Sequence, residues 1–315
     1  MVVWLIIFIA IGFGIYKLVI VYKRTKQAIT YANENSSFCG TPTCPPVLKD
    51  LAIPTISGKS YSKDLALYCA DLIGRVLYFA DHHQEVKMAE GHSLIQMLKT
   101  ISDDKIPVVG WITRTPDGVV WVTFRGTRRI TEWMYDFNYS QELLEDDQKN
   151  TQVEATFLQT TAGVPPRVHS GFMKMYNNFR ELMLNSIPAD TQTVVVSGHS
   201  LGGSLAQMAG LDIAKTGREV KVYTFASPRV GDEAYCENFS ALDNLVLYKI
   251  INTCDIAQSF PPAVVPHYSN PEDPLYYQDC GNSAYFTLNT KSIGNNHTLY
   301  CYTEALNKDM VVLLK

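Results

Sequence analysis

The chain has 315 residues, 46% of them hydrophobic and 18% charged, with a formal net charge of −4. Once a terminal segment is set aside, about 270 residues remain, enough for one large core and a single catalytic or binding domain. The acidic balance and the lack of any arginine-rich or aromatic-basic cluster exclude the field that gathers phosphate backbones, so nucleic acid is not an expected partner. Seven cysteines, spread without paired C-x-x-C spacing, argue against a zinc or thioredoxin-type site.

In chain order, the first element is apolar. Met1 to Tyr16 carries no charge, and Leu18 to Tyr22 extends the run past Lys17. A membrane-spanning helix needs roughly 20 apolar residues, and a lysine near one end can snorkel toward the headgroups. Residues 1–22 are therefore predicted to be a single-pass anchor, retained rather than cleaved because no charged region precedes the run. Lys23, Arg24 and Lys26 follow it, which places the main domain on the cytoplasmic side by the positive-inside tendency. Residues 23–60, rich in Asn, Ser, Thr, Pro and Gly, read as a linker, with Cys39 and Cys44 placed to close a small disulfide loop. Cys69 and Cys301 fall in apolar runs and are expected as buried thiols.

The domain is predicted over 61–315. Ser62 is a candidate N-cap, and Leu65, Leu67, Leu72, Ile73, Val76, Leu77 and Phe79 support a buried helix to about Ala80. Val108 to Thr113 and Val119 to Arg125, joined by Thr115-Pro-Asp-Gly118, read as a hairpin at one side of a sheet. Thr193 to Ser197, Val220 to Phe225 and Leu245 to Ile251 read as central parallel strands. Tyr285 to Leu288 is a further strand. Strands alternating with helices imply an α/β sheet covered on both faces, with reactive groups gathered at the strands' carboxyl ends.

Gly198, Ser200 and Gly202 form G-x-S-x-G. The strand Val194-Val-Val196 stands before it, and Leu205, Met208, Ala209, Leu211 and Ile213 after it suit a helix, which is the setting a nucleophile elbow requires. Such a turn presents the serine hydroxyl in a strained conformation at a helix N-terminus, where developing negative charge is favoured. A serine hydroxyl also needs a base and a group to orient that base. Of the seven histidines, His199 lies inside the elbow and points away from the serine, His169 precedes a strand, and His82, His83 and His92 fall in an early loop that reads as exposed. His267 and His297 remain. The order Ser, acid, His makes Asp255, just beyond the strand ending at Ile251, the expected acid, with Asp232 and Asp279 as rivals. His297, in a polar loop after a further strand, is the expected base, and His267, only about a dozen residues beyond Asp255, is its rival.

With these residues in place, the chain resembles the class 3 lipases, the group that includes the filamentous fungal triacylglycerol lipases. The resemblance spans about residues 60 to 305 and rests on Thr123-Phe-Arg-Gly-Thr127, Val168-His-Ser-Gly-Phe172, Gly198-His-Ser-Leu-Gly-Gly203, Thr224-Phe-Ala-Ser-Pro-Arg-Val-Gly231, Asn252-Thr-Cys-Asp255 with Phe260-Pro-Pro262, and His297-Thr-Leu-Tyr300. It implies an α/β-hydrolase fold and a triad of Ser200, Asp255 and His297. It also implies an oxyanion hole from the backbone N–H groups of Thr127 and Leu201, with Arg125 bracing the turn by ion pairing. Ile130, Trp133, Met134 and Phe137 recur at helical spacing and correspond to the family's lid, an amphipathic helix able to cover an apolar groove. Two stretches depart from the family. Ala257 and Gln258 replace a hydrophobic residue and a proline after Asp255, which predicts a less rigid loop, and Pro266 to Pro274 follows the pattern poorly.

The expected activity is hydrolysis of a lipid carboxylic ester at a membrane or lipid–water interface, with no metal or organic cofactor. Phospholipase or acyltransferase action on the same triad, and a catalytically silent lipid-binding module, are the alternatives. Asn296-His-Thr298 is an N-glycosylation sequon beside the expected base, with others at Asn35, Asn138 and Asn238. A glycan on Asn296 would obstruct His297, so either that site is unused or the domain never meets the glycosylation machinery, the second agreeing with the cytoplasmic orientation.

Overall fold

The computed structural model of the protein describes residues 51–82, 88–100, 108–127, 140–143, 165–266 and 273–313. The anchor read at 1–22, the Cys39–Cys44 loop, the lid residues Ile130, Trp133, Met134 and Phe137, and His83 and His267 lie outside these residues. No helix among the described residues is long and apolar enough to cross a membrane.

The first helix, α1 (Lys63–His82), starts where expected: the Ser62 hydroxyl accepts from the Leu65 N–H at 3.2 Å. The chain ahead of it is less free than its linker composition implies. Leu51, Ile53 and Ile56 pack on the core, Lys221 donates to the Ser57 carbonyl at 2.9 Å, and Tyr248 donates to the Lys59 carbonyl at 2.5 Å.

Eight strands form one sheet. The hairpin read from sequence is β2 (Val108–Arg114) with β3 (Val120–Phe124), antiparallel, and the Asp117 carboxylate accepts from Thr115 inside its turn. The edge strand β1 (Ser93–Lys99) pairs antiparallel with β2 through two register shifts. Those irregularities break the alternation by which a strand is recognised in sequence. From β3 the sheet runs parallel through β6 (Thr193–His199), β7 (Glu219–Phe225), β8 (Leu245–Asn252) and β11 (Asn282–Phe286). The short β12 (Val312–Leu313) closes it antiparallel. Two ribbons stand apart: β4 (Gln141–Leu143) with β5 (Arg167–His169), and β9 (Val264–Val265) with β10 (Leu275–Tyr276).

Because successive side chains of a strand point to opposite faces, Val194 and Val196 join one apolar cluster while Val195 joins the other. The first cluster is covered by α2 (Ser170–Asn177), α3 (Arg180–Ser186), α4 (Leu201–Lys215) and α5 (Glu233–Ala241). The second is covered by α1 and α7 (Leu299–Asn307), the latter reached from β11 through the one-turn helix α6 (Ile293–Asn296). Burial on both faces explains why these strands are continuous apolar runs in sequence. One charged side chain inside this core has its partner at the rim. Lys249 of β8 is fully buried and pairs with Asp279, which Arg229 also holds at 2.9 Å. Burial alone would raise the Asp279 carboxyl, but Lys249 and Arg229 together keep it below its ordinary value.

Cys69 and Cys301 are buried free thiols, as their apolar runs imply, while Cys236 and Cys280 form a disulfide across 44 residues that spacing did not reveal. His92 is a correction to the sequence reading: it is buried, bonded to Tyr68 and Thr113 at 2.8 Å each, and burial pushes its imidazole down to about 4.

Candidate active site

Ser200 stands between β6 and α4 at φ 56° and ψ −128°, a region that non-glycine residues rarely occupy. The sharp turn is possible because Gly198 has no side chain: a Cβ there would lie 2.0 Å from the Gly202 carbonyl oxygen, and a Cβ on Gly202 would lie 2.3 Å from the Arg125 carbonyl oxygen. The elbow is therefore pressed against the turn that follows β3. The serine N–H donates to the Phe225 carbonyl at 2.9 Å, which ties the elbow to β7 as well.

The other two expected residues come from loops at the carboxyl ends of neighbouring strands. Asp255 follows β8 and His297 follows α6, both nearly inaccessible to solvent. His297 Nε2 lies 2.9 Å from Ser200 Oγ, and His297 Nδ1 lies 2.8 Å from Asp255 Oδ2. A carboxylate only accepts, so Nδ1 carries the proton and Nε2 is the acceptor for the serine hydroxyl. Asp232 and Asp279 are placed elsewhere: Asp232 caps α5 by accepting from the Tyr235 N–H at 2.8 Å, and Asp279 serves Lys249 and Arg229.

Asp255 is fixed at both oxygens. Oδ1 accepts from the Ala257 N–H at 2.9 Å, and Oδ2 accepts from the Tyr302 hydroxyl at 2.7 Å as well as from His297. The buried Tyr302, on α7, went unnoticed in sequence; a tyrosine five residues after the base carries no local mark of such a role. The loop expected to be less rigid is in fact tied. Ala257–Ser259 forms a 3₁₀ turn, and Gln258 Nε2 donates to the Asn252 carbonyl at 2.6 Å. A side-chain amide here does what a proline does by ring closure, limiting the loop's excursions.

His199, inside the elbow, packs against the site. It is buried, and burial first and the neighbouring His297 second push its imidazole down to about 3. Neutral at ordinary pH, it donates from Nε2 to the His297 backbone carbonyl at 2.7 Å, with the two ring centroids 4.8 Å apart.

The turn after β3 supplies the other wall. Arg125 braces it, donating from Nε to the Val108 carbonyl at 2.6 Å and from Nη1 to the Gly126 carbonyl at 2.7 Å. Gly126 packs so closely on the elbow that a Cβ would lie 2.9 Å from His199 Nδ1 and 3.1 Å from Ser200 Cβ. Next to it, the Thr127 hydroxyl is buried without a hydrogen-bond partner. Leu201 is the first residue of α4, where backbone N–H groups have no partner within the helix. Leu201 directly follows Ser200, and Thr127 directly follows Gly126, which packs on the elbow. Two of the sequon asparagines are occupied internally. Asn296 Nδ2 donates to the Cys254 carbonyl at 3.0 Å, and Asn238 Nδ2 to the Ala234 carbonyl at 2.8 Å. Among the described residues no group of three or more His, Cys, Asp or Glu side chains is placed to hold a metal ion.

Comparison with known proteins agrees with this architecture. Residues 121–265 match the family model described as Lipase (class 3). A secreted mono- and diacylglycerol lipase of Fusarium solani is 26% identical over 58% of this chain and 54% of its own length. Phospholipase A1-II 4 of Oryza sativa subsp. japonica is 30% identical over 45% of this chain and 40% of its own. The chain thus spans about half the length of the curated relatives it matches. Among solved structures, the native propeptide complex of Rhizomucor miehei lipase superposes with a TM-score of 0.54 at 18% identity, covering 78% of this chain and 81% of that one. A triacylglycerol lipase described as having a serine protease triad at its catalytic centre gives 0.53 at 18% identity, covering 74% and 83%. The chain is therefore similar to class 3 lipases over residues 121–265 and has the α/β-hydrolase fold of the fungal lipases, with a mostly parallel central sheet.

Proposed function

We propose that this protein hydrolyses carboxylic esters of lipids, acylglycerols foremost, with Ser200 as nucleophile, His297 as base and Asp255 as the group that orients it. The observation that carries this reading is the unbroken relay of hydrogen bonds from Ser200 Oγ through His297 to Asp255, at 2.9 and 2.8 Å, in a buried site.

In the first half-reaction Ser200 Oγ bonds to the ester carbonyl carbon as its proton passes to His297 Nε2. The Asp255 carboxylate stabilises the imidazolium so formed. The carbonyl oxygen, now negative, accepts from the N–H groups of Leu201 and Thr127, with the unpartnered Thr127 hydroxyl as a third donor. A single such donor contributes about 3 kcal/mol to lowering the barrier. The carbon–oxygen bond to the glycerol then breaks, His297 returns its proton to the leaving alkoxide, and an acyl-enzyme remains. Water, deprotonated by His297, releases the fatty acid and regenerates Ser200.

The same reading takes residues 1–22 as a membrane anchor and Ile130, Trp133, Met134 and Phe137 as the apolar face of a lid over the groove. It places the active site at a lipid–water interface. The mono- and diacylglycerol lipase and phospholipase A1 relatives both fit, since the triad acts on the ester and the groove selects the rest.

The test is labelling of the detergent-solubilised full chain by a fluorophosphonate ester, comparing wild type with Ser200→Ala and His297→Ala, followed by release of fatty acid from mono-, di- and triacylglycerols and phosphatidylcholine. Labelling lost in both variants, with acylglycerols cleaved faster than phosphatidylcholine, is expected. A folded wild type that does not label would overturn the proposal.

A further inference from the structure

Asn252, the last residue of β8, is completely buried, and no feature of the relay itself requires it. Its carboxamide nevertheless reaches both loops that carry the relay. Nδ2 donates to the Asn296 carbonyl at 3.2 Å and to the Leu288 carbonyl at 3.0 Å, and lies 3.5 Å from Cys301 Sγ. Oδ1 accepts from the Cys254 N–H at 3.2 Å and from the Leu288 N–H at 3.1 Å. Cys254 directly precedes Asp255, and Asn296 directly precedes His297. One planar group therefore bridges the residue before the acid to the residue before the base.

The backbone of Asn252 adds to this. Its carbonyl accepts from the Asp255 N–H at 2.9 Å and from Gln258 at 2.6 Å, and its N–H donates to the Tyr302 hydroxyl at 3.4 Å. That same hydroxyl donates to Asp255 Oδ2. His297 itself is held on its other side, where His199 donates to its carbonyl. We infer that Asn252 is a positioning residue: its carboxamide sets the separation of the Asp255 and His297 loops, and hence the Nδ1 to Oδ2 contact, on the reading that Ser200, His297 and Asp255 form the reacting relay.

The chemistry is selective for an amide. The site requires donors toward two carbonyls and an acceptor toward two N–H groups from one flat, buried side chain. Alanine supplies neither half. An ionised aspartate keeps the acceptor and turns an anionic oxygen on the two carbonyls, whereas a protonated aspartic acid regains one O–H donor. The defect of Asn252→Asp should therefore heal as pH falls, while that of Asn252→Ala should not.

The experiment compares full-length wild type, Asn252→Ala and Asn252→Asp by second-order rates of fluorophosphonate labelling from pH 6 to 8. Thermal melting and the proton NMR resonance of the His297 Nδ1 hydrogen are recorded on the same samples. Asn252→Ala is expected to label at least tenfold more slowly at every pH, with its Nδ1 resonance shifted upfield or broadened. Asn252→Asp is expected to match it at pH 8 and to recover relative to wild type at pH 6. The inference is overturned if Asn252→Ala labels within twofold of wild type with its Nδ1 resonance unmoved. It is equally overturned if both variants lose the same factor at all pH values or fail to fold, since the residue would then serve the fold and not the relay. A folded wild type that does not label would sink the hydrolase reading alone. In that case the Nδ1 resonance, present in wild type and displaced in Asn252→Ala, still decides whether Asn252 holds the two loops together.

Discussion

Gly126→Ala tests whether the turn after β3 contributes to reactivity. The added methyl would meet His199 Nδ1 at 2.9 Å and both the His199 carbonyl oxygen and Ser200 Cβ at 3.1 Å, so about 0.5 Å of separation must be found to restore ordinary contact. The turn cannot yield freely, because Arg125 holds the Gly126 carbonyl at 2.7 Å and is itself held to Val108 at 2.6 Å. The displacement must then pass into Thr127, the next residue. A donor to the developing oxyanion contributes about 3 kcal/mol when well placed. Stretching it by half an ångström forfeits a large part of that, which corresponds to roughly 10- to 100-fold in kcat at about 1.4 kcal/mol per tenfold. The ground-state ester gains little from these donors, so KM should move by no more than a factor of about 2. Over-packing of this kind costs about 1–3 kcal/mol of stability, a fall of several degrees in Tm for a domain of this size. The assay is hydrolysis of a soluble p-nitrophenyl ester with kcat and KM resolved, alongside a thermal melt. A folded Gly126→Ala variant whose kcat stays within threefold of wild type would refute the assignment of oxyanion donors to this turn.

Acid sensitivity and glycosylation provide two further checks. His92 and His199 are pushed down to about 4 and about 3, below the value of about 6.5 that histidine has in an unfolded chain, so the unfolded state takes up protons first as pH falls. Their contribution is complete above about pH 6.5 and is lost as pH drops through that value, amounting to roughly 2 kcal/mol each by pH 5. Urea unfolding should show this loss between pH 7.5 and 5, with a shallower loss in His92→Gln; equal stability at the two pH values would contradict it. Because the side-chain nitrogens of Asn238 and Asn296 are buried in internal hydrogen bonds, protein made in a glycosylating host should carry no glycan at either. Intact-peptide mass spectrometry of the folded fraction reads this directly, and a glycan at either position would show the local packing to be wrong.

What was legible in the sequence is what local chemistry dictates. The Thr115-Pro-Asp-Gly118 turn announces the β2–β3 hairpin, and Val194-Val-Val196 followed by Gly-His-Ser-Leu-Gly announces a strand, an elbow and a helix. Each of these is specified within about ten residues, by turn residues and by the period of apolar side chains. The β1 strand was not legible because its register shifts blur the period, and the burial of His92 was not legible because neither Tyr68 nor Thr113 is near it in the chain. Gln258 shows the converse error: read as a departure that loosens the loop, it instead ties that loop to Asn252.

By itself, then, the sequence determined the sheet's central strands, the place of the Ser200 elbow and the order in which a candidate acid and base should follow. Only the tertiary structure decided which groups meet. His297 reaches Ser200 across 97 residues, Tyr302 reaches Asp255 across 47, and Cys236 reaches Cys280 across 44. His199 finds the backbone of His297 across 98, and Asn252 finds that of Asn296 across 44. None of these pairings has a local signature, because a hydrogen bond needs its two partners within about 3 Å and says nothing of the length of chain between them. That distance is set by the parallel sheet, which brings the carboxyl ends of β3, β6 and β8 and the loop beyond β11 to one edge, where residues with no sequence pattern in common share a single buried site.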